Sequence, residues 1–266
     1  MESMKSLISI LTVAALYPIL AAQAQLPPPN EAGVSIGHIH LVVRDIEANK
    51  KVFVAMGGKL TKFGDNEIVK FPGILIFFRQ GDPTGPSVGS VVNHFGFHVP
   101  NVQESVKKWN AAGVKTEPGA RPTQAYVVTP DGVRIEILED ADLKVPIVSD
   151  HIHFYVAESA IPEIQSWYAK TFGARPGKRG NFQSADVPGM TLLFAKSDTA
   201  AVPTKGRALD HIGFEIQNLE AFCKKLEASG VKFDRPYGHT PTGLGIAFIT
   251  DPWGTYIELN EGLNKL

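Results

Sequence analysis

Seven of the eight histidines in this chain fall in four short apolar stretches, "SIGHIHLVV", "VVNHFGFHV", "VSDHIHFYV" and "ALDHIGFEI". They are His38 and His40, His94 and His98, His151 and His153, and His211; His239 stands apart. Each stretch reads as a strand, and side chains two residues apart on a strand share a face. His38 therefore faces the same way as His40, and His151 the same way as His153. Glutamates occupy two further apolar strands, Glu136 in "VRIEIL" and Glu258 in "TYIELN", where a buried carboxylate needs a partner. Neutral imidazoles and a carboxylate gathered on one face bind divalent metal and leave coordination positions open, as in non-haem Fe(II) sites. A single histidine opening a strand is more often a hydrogen-bonded interior group; its recurrence in matching places is what points to metal.

The elements that position these residues repeat. A helical pattern follows each histidine strand, as in "IEANKKVFVAMGG", "VQESVKKWNAAG" and "LEAFCKKLEASG", with apolar residues at helical spacing. Asn101 and Asn218 stand where an N-cap is wanted, and a glycine closes each helix. The distance from histidine to closing glycine is 19 residues in three units and 22 in the third, which carries a three-residue insertion near "AESAIPE". Short strands follow each helix, so the chain reads as four βαβββ units. "FPGILIFFRQGD" in the first unit echoes "VPGMTLLFAKSD" in the third, and "TPDGVRIEIL" in the second echoes "TDPWGTYIEL" in the fourth. These echoes predict that units one and two form one domain (residues 36–141) and units three and four another (149–263), divided at the polar, proline-bearing run "EDADLKVPIVSD".

Composition limits what such a protein does. With 26 basic and 27 acidic side chains and 44% hydrophobic residues, the 266-residue chain is globular and lacks the basic surface of a nucleic-acid binder. Residues 1–24 carry a lysine, an apolar run and an Ala-Gln-Ala ending, the pattern of a bacterial-type signal peptide. The mature protein is expected to start at Gln25, to be periplasmic or secreted, and to have no membrane segment after processing. Residues 25–35, with "LPPPNEAG", read as an extended linker. The lone Cys223 cannot form an intramolecular disulfide.

On the four histidine strands and the two turn-plus-glutamate motifs, the sequence resembles the vicinal oxygen chelate superfamily of glyoxalases, bleomycin-resistance proteins and extradiol dioxygenases, from about Ile36 to Leu263. The resemblance implies an α+β fold in which paired βαβββ units form half-open β-barrel domains around a metal. Carried over by position, the ligands are His38, His94 and Glu136 in the first half and His151, His211 and Glu258 in the second; whether each set closes within its own half is left open. His40 and His153 are then pocket residues. The implied cofactor is a divalent ion, Fe(II) first, with Mn(II) or Zn(II) as alternatives. The segment "YGHTPTGLGIAFITDPWGTYIE" resembles the extradiol signature, which implies a catalytic role for His239 and, by the matching position in the first half, for Tyr126. Neither half carries the complete extradiol set: Phe248 stands at the tyrosine place and Glu117 at the histidine place. The last strands "GILIFF" and "MTLLFA" lack the fourth, acidic or amide ligand of glyoxalases. The implied activity is that of a metal-dependent, extradiol-dioxygenase-like enzyme whose small substrate binds through adjacent oxygens. The alternatives are a non-catalytic binding protein of the bleomycin-resistance type and a metal-dependent lyase or isomerase of the glyoxalase type. A homodimer is among the assemblies such a protein forms.

Overall fold

The computed structural model describes residues 26–265. The expected signal peptide, and with it the expected destination, lies outside the described residues. Among the described residues no helix is long and apolar enough to cross a membrane.

The four βαβββ units are present. The first comprises β1 (Val34–Val43), α1 (Ile46–Met56), β2 (Lys59–Phe63), β3 (Asn66–Phe71) and β4 (Ile74–Gln80). The second comprises β5 (Val92–Val99), α2 (Val102–Ala111), β6 (Thr116–Pro118), β7 (Gln124–Val128) and β8 (Arg134–Glu139). The third comprises β9 (Val148–Val156), α3 (Ile161–Phe172), β10 (Arg175–Arg179), β11 (Phe182–Val187) and β12 (Met190–Lys196). The fourth comprises β13 (Leu209–Ile216), α4 (Leu219–Ala228), β14 (Phe233–His239), β15 (Gly245–Thr250) and β16 (Tyr256–Glu261). Asn101 caps α2 by accepting from the Glu104 amide at 2.9 Å, and Asp45 does the same for α1 through the Ala48 amide at 2.9 Å. Gly57 and Gly173 close α1 and α3 at φ 110° and 64°, a region open to glycine. The three-residue insertion of the third unit is a 3-10 turn over Glu158–Ala160, leading into a helix that starts with Pro162 in its first turn.

The units pair differently from the sequence expectation. One open eight-stranded sheet runs β14-β15-β16-β13-β1-β4-β3-β2 and the other β10-β11-β12-β9-β5-β8-β7-β6. Unit one thus joins unit four, and unit two joins unit three; the consecutive halves of the chain are not the two sheets. The run "EDADLKVPIVSD", taken as a boundary, links β8 to β9 inside one sheet. The crossings between sheets are residues 81–91 and 197–208, and they hydrogen-bond to each other: Val91 N to Val202 O at 3.0 Å, Thr84 N to Gly206 O at 2.8 Å, Ala208 N to Gly85 O at 2.9 Å.

The physical reason the sequence did not decide this lies at the seams. In β1 against β13, Gly213 lies opposite His38 and His211 opposite His40; in β5 against β9, Gly96 lies opposite His151 and His94 opposite His153. Each seam sets an H-x-H strand beside an H-x-G strand, a condition that either pairing of the units satisfies. The two sheets share one core, with Phe71 of β3 packed on Phe97 of β5 at 4.7 Å and Phe172 of α3 stacked on Phe214 of β13 at 4.4 Å.

Residues 26–33 are also not a free spacer. Asn30 donates to the carbonyls of Phe172 and Gly173 and accepts from the amides of Ala32 and Val34, which ties this stretch to the end of α3.

Candidate metal centres

Because the central strands come from units one and four in one sheet and two and three in the other, the six expected ligands regroup. His38 of β1 meets His211 of β13 and Glu258 of β16; His151 of β9 meets His94 of β5 and Glu136 of β8. His40 and His153 join these groups, and in each the four donor atoms lie within 4.8 Å of one another. The first group draws His38 and His40 from the first half of the chain and the rest from the second; the other draws His94 and Glu136 from the first half and His151 and His153 from the second.

In the first centre Glu258 Oε2 lies 2.7 Å from His211 Nε2 and 3.3 Å from His38 Nε2, and its other oxygen accepts from Asn260 Nδ2 at 2.7 Å. In the second, Glu136 Oε2 lies 3.0 Å from His151 Nε2 and 3.2 Å from His94 Nε2, while Gln124 and Tyr126 hydrogen-bond its other oxygen. The residue before the histidine orients the ring in three of four cases. Asp210 lies 2.7 Å from His211 Nδ1, Asp150 2.7 Å from His151 Nδ1, and Asn93 2.9 Å from His94 Nδ1. Each such contact fixes the ring and turns Nε2 inward, the outer-shell arrangement of metal-bound histidines. Arg179 in turn holds Asp150 with two hydrogen bonds, at 2.7 and 2.8 Å. Sequence reasoning passed over these orienting residues, although the pairs "DH", "DH" and "NH" were visible.

Burial disfavours the charged form of every imidazole in the two centres. It lowers His38 and His94, brings His153 to about 3 with help from His94 and His151, and lowers His40 strongly with help from His211 and His38. Burial opposes charge on His211 and His151 as well, but Asp210 and Glu258 raise the first and Asp150 and Glu136 the second. Burial works to raise the glutamates too, yet the adjacent histidines hold Glu258 and Glu136 well below the ordinary carboxylate range.

The donor set fits a divalent cation. His38 Nε2, His40 Nε2, His151 Nε2 and His153 Nε2 are buried and have no hydrogen-bond partner among the described residues. Such orphans are rare in interiors and call for an ion or a water. Two of them, on His38 and His151, sit beside a carboxylate without hydrogen-bond geometry. Each centre also holds two carboxylates, one among the donors and one behind a histidine; Arg179 already pairs with Asp150, so the donor glutamates are the charges left for a cation to offset.

The glycines opposite the rings are part of the design. A Cβ on Gly213 would lie 2.0 Å from His38 Cε1, and one on Gly96 would lie 2.3 Å from His151 Cε1. Gly213→Ala is expected to cost about 1–3 kcal/mol through overpacking and to displace His38. A denaturation curve and a metal count on the same sample check this; an unchanged metal count refutes it.

The two centres differ in what surrounds them. The first opens into a cleft of about 490 Å³ whose walls include Phe77, Phe248 and Tyr256. At the matching positions of the second centre stand Leu193, Tyr126 and Arg134, and the Arg134 guanidinium lies 3.6 Å from the Tyr126 ring centroid. Phe182 packs against His153 with ring centroids 4.6 Å apart. The expected catalytic Tyr126 is thus at a centre, 3.3 Å from Glu136 Oε1. The expected catalytic His239 is not. It is exposed at the end of β14, with Nε2 3.3 Å from the Tyr237 hydroxyl, and does not line the cleft. The alternating strand sends Thr240, its neighbour, into the cleft instead. His239→Gln is therefore expected to leave metal content unchanged and any turnover within about twofold of wild type; a tenfold loss would return His239 to the chemistry.

The fold is one of two open eight-stranded sheets, each carrying a paired histidine and glutamate cluster. Residues 150–259 match the Glyoxalase/Bleomycin resistance protein/Dioxygenase superfamily, which bears out the resemblance read from the sequence for that stretch. Glyoxalase I from Zea mays shares the fold, with a TM-score of 0.65 and 18% identity over 87% of this chain and 94% of that one. A provisionally assigned dioxygenase from Bacillus subtilis gives 0.63 and 16% over 90% and 86%. No curated protein matches the chain in sequence. These identities carry the fold alone.

Proposed function

We propose that the chain is a metal-dependent enzyme that takes a small substrate bearing two adjacent oxygens into the cleft at His38, His40, His211 and Glu258. The observation that carries this reading is the set of orphaned, inward-facing ring nitrogens at the foot of an apolar cleft. His38, His211 and Glu258 would hold the ion, which when bound supplies Lewis-acid chemistry toward the adjacent oxygens. The chain's own groups bind and orient: Asp210 fixes His211, Asn260 fixes Glu258, and Phe77 on one flank and Phe248 with Tyr256 on the other keep the site dry. Burial, with help from His211 and His38, lowers His40 strongly, which favours the neutral ring with one nitrogen lone pair available to an ion.

His40 decides between the two catalytic readings. With His38, His211 and Glu258 as protein ligands, a bound ion would keep room for the substrate's oxygens and for dioxygen, which suits dioxygenase chemistry. With His40 as a fourth ligand it would have less room, which suits a lyase or isomerase; His40 on β1 is a candidate donor in place of the acid missing from β4. The dioxygenase reading leads, with Fe(II) as the ion, because His38 and His211 both approach Glu258, the two-histidine, one-carboxylate donor set of non-haem Fe(II) sites. The test is oxygen consumption by the Fe(II)-loaded protein with catechol, and its loss on Zn(II) loading. Turnover that ignores oxygen would establish the lyase or isomerase reading, and metal-free ligand binding without turnover the binding-protein reading.

A further inference from the structure

The cleft of the first centre has two chemically different parts. Sheet order puts the metal ligands of β1 and β13 between β4 on one side and β16 with β15 on the other. Phe77 of β4 stands 4.9 Å from the His38 ring, and Phe248 of β15 stands 5.4 Å from the His211 ring with Tyr256 stacked on it at 4.9 Å. The donors thus lie at the bottom of a slot between aromatic walls, a shape for a flat apolar body.

Two cations, Arg79 and Lys205, line the same cleft. Their side chains are 58% and 57% exposed, and neither is hydrogen-bonded to a carboxylate. Arg79 Nη2 is 3.8 Å from Asp210, whose oxygens are already taken by His211 Nδ1 at 2.7 Å and the Gly206 amide at 2.6 Å. Lys205 Nζ is 3.9 Å from Asp234 and sits 4.3 Å over the Tyr256 ring, at the edge of the aromatic wall. At the second centre the place of Arg79 is held by Ala195, so the cation is not a requirement of the repeat.

Resting on the vicinal-oxygen reading of this cleft, we propose that its substrate is an aromatic compound that carries an anionic group, of carboxylate type, besides the adjacent oxygens. The ring lies between Phe77 and the Phe248 and Tyr256 pair, the oxygens point to the histidines and Glu258, and the anion reaches Arg79 and Lys205. Arg79 presents a fork matched to a carboxylate, and Lys205 a point charge beside it.

The experiment uses the full mature chain with and without Zn(II), and two probes that differ only in charge, catechol and 3,4-dihydroxybenzoate. Dissociation constants come from titration calorimetry. The Zn(II)-loaded wild type is expected to bind the carboxylated probe at least about tenfold more tightly, and Arg79→Ala with Lys205→Ala to reduce that preference to about twofold. Arg79→Lys with Lys205→Arg should retain most of it, which separates charge from folding. Equal binding of both probes, or a preference that survives the double alanine variant, overturns the proposal. Binding of catechol that needs the metal but gains nothing from the carboxylate overturns this proposal and keeps the vicinal-oxygen reading. A carboxylate preference lost in the variant but indifferent to metal does the reverse, and failure of both probes to bind overturns both.

Discussion

Replacing His38 and His211 together by alanine should remove one metal equivalent from a protein that otherwise holds two, whereas replacing His38 and His94 together should remove both. The expectation follows from strand order. His38 on β1 and His211 on β13 share one centre, and His94 on β5 belongs to the other. If the ligands grouped by halves of the chain, His38 and His94 would share a centre and the outcomes would be exchanged. Loss of one imidazole from a three- or four-donor site removes a donor outright, and disturbing even an outer-shell partner typically costs about 10–100-fold in affinity. Each single variant should therefore lose its ion on dialysis against a chelator that the wild type survives. Metal analysis of the dialysed proteins reads the result directly. Two equivalents retained by the His38 and His211 double variant would sink the ligand assignment.

Most of the fold was legible because it repeats. Four histidine strands, four helices closed by glycine and the shared strand echoes gave the βαβββ unit, and periodicity reports local structure well. The partner of each unit is a non-local choice, and the residues that make the seams, Gly213 against His38 and Gly96 against His151, are equally suited to either arrangement. Residues 81–91 and 197–208 carry the chain between the sheets, and the backbone and side-chain hydrogen bonds that join these loops have no periodicity from which to read them. The candidate donor residues could be listed from the sequence and their grouping could not, for the same reason. His239 misled through its spacing from Glu258: the interval fits the extradiol pattern, but the strand's alternation turns the ring out and Thr240 in. His40 showed the reverse case. Its shared face with His38 was read from the strand, but only the geometry brings its donor atom within 4.8 Å of the others.

Dividing the chain between residues 145 and 146 should yield two pieces that neither fold nor hold metal alone, although each carries two complete βαβββ units. The cut leaves β1 without β13 and β5 without β9, the central seams of both sheets. The strands at these seams are buried: Ile36, Ile39 and Leu41 on β1 and Ile212, Phe214 and Ile216 on β13 have no exposed surface. Uncovering four such side chains costs roughly 6–12 kcal/mol at about 1.5–3 kcal/mol each, comparable with the whole stability of about 5–15 kcal/mol expected of a domain. Bared central strands also present unpaired backbone edges, which favour aggregation. Produced together, the two pieces should assemble, because the seams they lack are the ones the other supplies, and the complex should bind two metal equivalents. Size-exclusion chromatography, far-ultraviolet circular dichroism and metal analysis follow the outcome. A single piece that is monomeric, folded and loaded with one metal ion would mean that a centre closes within one half of the chain, contrary to the strand order found.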